Sequence, residues 1–303
     1  MDGMQMKIEH LKFTMNTKLF PIIGCPMGQS SASYAYNPLF AANGIDEIMW
    51  PVEIPVGGLG DFMAAFQTLG MKHFSLTMPH KSAIIPYLDE VDEYSRIFSS
   101  VNIVKVDENG RTVGTGMDGK GNMAAIKKAN VNVKGMHVFI LGAGSIVGVI
   151  LLQLAKEGAH KVTLMNRSME RAHALVETVR RYTDMEIECL PFTNENMDKT
   201  AAECDFFMQS TPLGLYGFPE DHDYLGFMEK LRPDAVVMEN IVNPPMTKVA
   251  KRAKERKLKT IYGVDMMIGQ LGEIFEFCYG YRPKDEHLDA AKKNVYKYFG
   301  IEE

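Results

Sequence analysis

The chain is 303 residues long, with 46% hydrophobic and 23% charged residues and a formal net charge of −5. That length points to two domains, the composition excludes a disordered chain, and the negative balance offers no field to attract nucleic acid or anionic lipid. Cys25, Cys189, Cys204 and Cys278 form no CxxC pair and the histidines no HxH or HxxxH pair, so neither a disulfide framework nor a metal site is expected.

The N-terminal stretch MDGMQMKIEHLKF scatters charge along its length and holds no apolar segment, so it is not read as an export signal. With unpaired cysteines, a cytoplasmic protein is expected. Short apolar strands are predicted at Lys18–Ile23, Glu47–Pro51, His73–Leu76 and Asn102–Val106, with helices at Tyr34–Asn43 and Gly58–Leu69 between the earlier ones. This alternation predicts β-α-β units with parallel pairing. Asn109-Gly110 then predicts a hairpin turn from Asn102–Val106 into Arg111–Gly114. The glycine-dense run Gly114–Gly121 reads as a break at a domain crossing, followed by a short helix over Asn122–Ala129.

A second α/β unit is predicted from Lys134 onward. Its strands fall at 136–141, 161–165, 186–190, 204–209, 235–239 and 259–262, and its helices at 145–157, 168–182 and 247–257. Val138–Ala155 carries no charge and, taken alone, is long enough to span a membrane. Gly142, Gly144 and Gly148 instead split it into a buried strand, a tight turn and a buried helix that runs on into Lys156-Glu157 and stops at Gly158. No membrane association is therefore expected. The basic run Lys248–Lys259 reads as the solvated face of a helix. Two amphipathic helices, Asp265–Cys278 and Lys284–Phe299, close the chain with no strand after them, so they are expected to pack back on the first domain.

GAGSIVG (142–148) follows a predicted strand and opens a helix, the setting a dinucleotide-binding turn requires. Gly142 lets the chain turn, Gly144 lets backbone N–H groups approach a pyrophosphate, and the anion then sits on the positive end of the helix. An NAD enzyme usually ends the next strand with Asp or Glu, which accepts from the ribose 2′-OH. Here the chain reads Asn166-Arg167-Ser168, with Arg171 one turn on. Two guanidiniums suit a 2′-phosphate, and cations are otherwise disfavoured at a helix N-terminus, so NADP is the expected cofactor. Hydride transfer also needs a proton donor and acceptor. Candidates at strand ends of the first domain are Thr77 and Lys81 in SLTMPHK, Asn102 in SSVNIV and Asp118 in TGMDGKG.

SLTMPHK resembles the N-V-T-x-P-x-K signature of the shikimate dehydrogenase family. Val101-Asn102 resembles the family's A-V-N-T, Met117–Gly121 its N-T-D-G-x-G, GAGSIVG with NRSMERA its G-A-G-G and N-R-T, and Gly263–Gln270 (GVDMMIGQ) its G-x-x-M-L-x-x-Q. These motifs run in the family's order over nearly the whole chain. The resemblance implies an α/β protein of two domains: an N-terminal substrate domain (1–117 plus 265–303) and a Rossmann-type NADP-binding domain (118–264), with the C-terminal helices returning to the first. It implies a catalytic pair in Lys81 and Asp118. Ser30, Ala32, Thr77, Asn102 and Gln270 would meet a hydroxylated ring substrate. Gly142, Ala143, Gly144, Ser145, Ile146, Asn166, Arg167, Ser168, Arg171, Gly263 and Met266 would meet the cofactor. A homodimer is expected, with no metal.

Departures from the pattern gather where the family grips the substrate carboxylate. The S-x-S-P motif aligns with Ser30-Ser31-Ala32-Ser33, so its second serine becomes Ala32. The Asn before V-T becomes Ser75, the Thr before the Asp becomes Met117, and the Tyr of Y-N-P becomes Val242. Losing two hydroxyl donors to an anion, each contributing roughly 1.5–3 kcal/mol, leaves the ring substrate open: shikimate, quinate, or an analogue without the usual carboxylate grip. A cofactor-binding sensor without turnover is the reading from another class, but it would have no need of Lys81, Asn102, Asp118 and Gln270 together.

Overall fold

The computed structural model describes residues 14–28 and 30–301, so the stretch read for an export signal lies outside the described residues. Six strands form a first sheet: β1 (Lys18–Gly24), β2 (Glu47–Glu53), β3 (His73–Leu76), β4 (Glu90–Val91), β5 (Ile103–Val106) and β6 (Thr112–Thr115), in the order β2-β1-β3-β5-β6-β4. β1 pairs in parallel with β2 and β3, while β5 runs antiparallel to both β3 and β6. The crossovers are α1 (Ala32–Ala42) and α2 (Leu59–Thr68). Leu59, Phe62, Met63 and Phe66 of α2 follow helical spacing and pack on Ile23, Phe74 and Leu76. The short helices α3 (His80–Ala83) and α4 (Glu93–Ile97), like β4, are too brief to leave a periodic pattern in the sequence.

Of the run Gly114–Gly121 read as a break, Gly114 and Thr115 close β6 and Asp118 onward is already helix. α5 (Asp118–Lys128) begins one turn earlier than the sequence suggests. Glycine disfavours a helix interior, but here tertiary packing overrides propensity. A Cβ on Gly119 would stand 2.5 Å from Val149, and one on Gly121 would stand 2.7 Å from Gln270, so only bare backbone fits between the neighbouring helices.

The second sheet is wholly parallel: β7 (His137–Leu141), β8 (Lys161–Asn166), β9 (Glu186–Pro191), β10 (Phe206–Gln209), β11 (Val236–Glu239) and β12 (Lys259–Ile261), in the order β12-β11-β10-β7-β8-β9. The connecting helices are α6 (Ser145–Lys156), α7 (Met169–Val179), α8 (Asn194–Glu203) and α9 (Lys248–Glu255). β7 is buried from Val138 to Leu141, as expected of a central strand covered on both faces. The uncharged stretch Val138–Ala155 is thus β7, a turn and α6. Among the described residues no helix is long and apolar enough to cross a membrane. α8 escapes the sequence pattern because only Met197, Thr200 and Ala201 face inward. α9 buries Val249, Ala250 and Ala253 and exposes Lys251 and Lys254, as the basic run suggested.

The chain ends with α10 (Gly263–Tyr279) and α11 (Asp285–Tyr298), which return to the first sheet. Val264, Ile268, Leu271, Phe275 and Leu288 join one core with Phe20, Ala35, Leu39 and Met49. Met266, on the first turn of α10, lies in the other core with Ala143, Val147 and Met238. One helix therefore ties the two cores together. The strand order reverses between β7 and β10, and in such sheets the crevice outside the carboxyl ends of those strands is where ligands bind.

Candidate active site

Because β5 is antiparallel to β3, Asn102, the residue before β5, lies beside the carboxyl end of β3: Leu76 N–H donates to the Asn102 carbonyl at 2.9 Å. Thr77 follows β3, and Pro79 then turns the chain into α3, which carries Lys81. The Lys81 backbone carbonyl accepts from Val101 N–H at 3.1 Å, tying α3 to the approach to β5. His80, in the same motif, faces inward and its Nε2 meets the Ile54 carbonyl at 2.7 Å, so it anchors the turn.

Lys81 Nζ donates to Asp118 Oδ2 at 2.8 Å, with 19% and 10% of the two side chains exposed. Gln270 Nε2 donates to the other oxygen, Oδ1, also at 2.8 Å. Three residues far apart in sequence thus converge from α3, α5 and α10. Both Asp118 oxygens are engaged, which fixes the carboxylate and aims the ammonium. Asn102 Oδ1 accepts from Met117 N–H at 2.9 Å, leaving its amide NH₂ as the end free to face a ligand. Ser30 is half-buried just before α1, and its hydroxyl receives the Ala32 N–H at a long 3.4 Å. Gln270, read from the resemblance as a holder of ring hydroxyls, reaches Asp118 itself.

The polar departures share one environment. Ala32 and Met117 are buried in the same apolar cluster, with Val242 packed against it. Ser75, also buried, has its hydroxyl 3.4 Å from that of Tyr36.

On the second sheet, Gly142 closes β7 at φ +111°, a left-handed value, and a Cβ there would strike the Ser210 carbonyl at 2.5 Å. Glycine is required for this turn. Ala143 is buried behind it, while Gly144 and Ser145 are exposed at the start of α6 and a Cβ on Gly144 would meet nothing within 4 Å. Open space before a helix N-terminus at the switch point of the sheet suits a diphosphate. Gly148, on α6, packs directly on the Phe98 ring. At the end of β8, Asn166 Nδ2 donates to the Ser168 carbonyl at 2.8 Å. Ser168 caps α7, accepting from Arg171 N–H at 3.2 Å. Arg171 is exposed, and Arg167 is ion-paired with Glu220. Gly263 lies against the Ile241 carbonyl, so the structure uses it for close packing, and Met266 shares a core with Ala143.

Two acids escaped sequence reasoning. One is Glu220, whose partner lies 53 positions away. The other is Glu239, which is fully buried at the end of β11 and accepts from Thr247 Oγ1 at 2.6 Å and Ile241 N–H at 3.0 Å. Burial pushes its carboxyl up to about 7. The available signal was a lone charge closing an apolar strand, Ala235 to Glu239.

Comparison with known proteins gives two family matches: "Shikimate dehydrogenase substrate binding domain" over residues 22–104 and "Shikimate / quinate 5-dehydrogenase" over residues 123–263. The shikimate dehydrogenase (NADP(+)) of Alkaliphilus oremlandii is 35% identical over 266 residues, covering 87% of this chain and 92% of that protein. A solved shikimate 5-dehydrogenase from Listeria monocytogenes, in complex with shikimate and NAD, superposes with a TM-score of 0.82 at 27% identity, covering 92% of this chain and 97% of that one. A ligand-free 5-ketofructose reductase of Gluconobacter sp. strain CHM43 superposes with a TM-score of 0.80 at 25% identity, covering 93% of this chain and 100% of that one.

Proposed function

The chain belongs to the shikimate dehydrogenase family, and from that premise we propose that it is an NADP-dependent oxidoreductase interconverting 3-dehydroshikimate and shikimate or a closely related cyclic polyol. The observation that carries this reading is the Lys81–Asp118–Gln270 arrangement, in which a single ammonium is held by a doubly engaged carboxylate. In reduction the Lys81 ammonium donates a proton to the substrate carbonyl oxygen; in oxidation the neutral amine takes the hydroxyl proton back. Asp118 keeps the amine aimed through both half-steps, and Gln270 keeps Asp118 in place. Asn102 and Thr77 hold ring hydroxyls from the carboxyl end of β3 and the start of β5, and Ser30 meets the substrate's polar end.

NADP, when bound, supplies the hydride acceptor or donor. Gly144, Ser145 and Ile146 are open or half-open at the start of α6, which supports a diphosphate there, and Asn166, Arg167, Ser168 and Arg171 support a 2′-phosphate beyond β8. We assign residues 1–117 with 265–303 to substrate binding and 118–264 to the cofactor. Four free cysteines support a cytoplasmic setting. Exposed Leu19 and Trp50 on the β1–β2 edge support a homodimer, which sedimentation tests.

The buried apolar environment of Ala32, Met117 and Val242 favours a second reading, a neutral hydroxylated or keto substrate taken in place of a carboxylate-bearing one. The two are separated by following NADP reduction by the purified protein across shikimate, quinate and analogues lacking the carboxylate. Preferred turnover of the carboxylates supports the first reading, and preferred turnover of the neutral analogues supports the second.

A further inference from the structure

Arg167 does not stand alone at the end of β8. The loop that follows β10 folds over the carboxyl ends of the second sheet and sets the Glu220 carboxylate on the Arg167 guanidinium. That loop is built. Gly214 N–H donates to the Glu220 carbonyl at 3.0 Å, and Tyr216 N–H donates to the Asn243 carbonyl at 2.9 Å. On the far side, the Lys248 ammonium meets the His222 carbonyl at 3.2 Å and the Asp221 carboxylate at 3.1 Å. Glu220 is thus bracketed by anchored residues and presented to Arg167 from across the crevice.

Arg167 is 62% and Glu220 50% exposed, so the pair is screened by water and can be displaced. A 2′-phosphate brings about −1.5 to −2 charge to the same guanidinium fork. It and the carboxylate are rival anions for one cation. A cofactor without the phosphate meets no such rivalry, and it offers a ribose 2′-OH that a carboxylate can accept from.

We propose that Glu220 is a specificity-determining residue that competes with the 2′-phosphate for Arg167 and so holds the preference for NADP over NAD below what Arg167 and Arg171 alone would set. The proposal rests on the assignment of Arg167 to the 2′-phosphate.

The test is calorimetric binding of NADP and of NAD to the purified wild type, Glu220→Gln, Arg167→Ala and the double variant. Glu220→Gln removes the charge and leaves the backbone carbonyl that Gly214 holds. It should tighten NADP about two- to fivefold at low ionic strength without tightening NAD. The gain should shrink in high salt and vanish in the Arg167→Ala background. Unchanged NADP binding in Glu220→Gln, equal tightening of both cofactors, or the same gain without Arg167 would each overturn the proposal. If Arg167→Ala selectively weakens NADP while Glu220→Gln changes nothing, the phosphate grip stands and only the role of Glu220 falls. If Arg167→Ala leaves NADP binding unchanged, the grip itself is wrong and both fall.

Discussion

At the scale of single residues, the candidate groups Lys81, Asn102 and Asp118 were the easiest to single out, because they sit in short motifs beside Pro79 and a glycine run. What they touch was not legible. Gln270 meets Asp118 across 152 positions, and Glu220 meets Arg167 across 53, and no local pattern encodes either pairing. Glu239 left only the trace of a lone charge closing an apolar strand, yet it has a measurable signature. Burial raises its folded-state pKa to about 7 from an ordinary 4.5. Between those values the folded state binds more protons than the unfolded chain, so this group's contribution lowers stability as pH rises through that window. Below the window the contribution is absent, and above it the cost of burying the charge is complete. Glu239→Gln keeps an oxygen acceptor for Ile241 N–H, turns an amide NH₂ towards Thr247 Oγ1, and does not titrate. The Tm of the wild type relative to this variant should therefore fall between pH 5 and pH 8. Parallel Tm curves over that range would show that Glu239 is not the titrating group.

Elements were legible where periodicity was strong and illegible where packing overrode propensity. β7, its glycine turn and α6 were readable because an uncharged run broken by Gly142 and Gly144, and running on into Lys156-Glu157, divides into strand, turn and helix. The first turn of α5 was not, since Gly119 and Gly121 read as a break until their neighbours are known. Gly121 tests this most sharply. A Cβ there would stand 2.7 Å from the Cβ of Gln270 and 3.0 Å from its Cα and N, and that backbone has no room to yield. Gly121→Ala should force α5 and α10 apart and cost about 1–3 kcal/mol in denaturant unfolding. Because the same two helices carry Asp118 and Gln270, turnover should fall along with stability. Unchanged stability and turnover would mean that the crossing is looser than these distances indicate.

Across the whole molecule, the two-sheet plan with returning C-terminal helices was readable from the order of the elements, since helices with no strand after them must cover an existing sheet. The way α10 joins the cores was not readable, because its Val264 and Ile268 face one core and its Met266 the other within little more than one turn. The substrate end of the proposed site falls in this shared region, where Ala32 and Met117 are buried in one apolar cluster with Val242 packed against it. Lys81 and Asp118 are expected not to touch the carboxylate, so shikimate should still be turned over, with a high KM. Ala32→Ser combined with Val242→Tyr should lower that KM with little change in kcat. Ordinary shikimate kinetics in the wild type, with no gain from the double substitution, would show that Ser31, Ser33 or an ordered water already supplies the donors.

Lys81 and Asp118 are proposed to form one proton-transfer unit serving hydride exchange with NADP. The most direct measurement compares steady-state NADP reduction with calorimetric NADP binding in wild type, Lys81→Ala, Asp118→Asn and the double variant. Each single substitution should lower kcat by about 10²–10⁴-fold with NADP affinity retained, and the double loss should fall well short of the product of the single losses. Wild-type protein that binds NADP but turns over no hydroxylated ring substrate, or variants that keep full turnover, would show that Lys81 and Asp118 are not that unit.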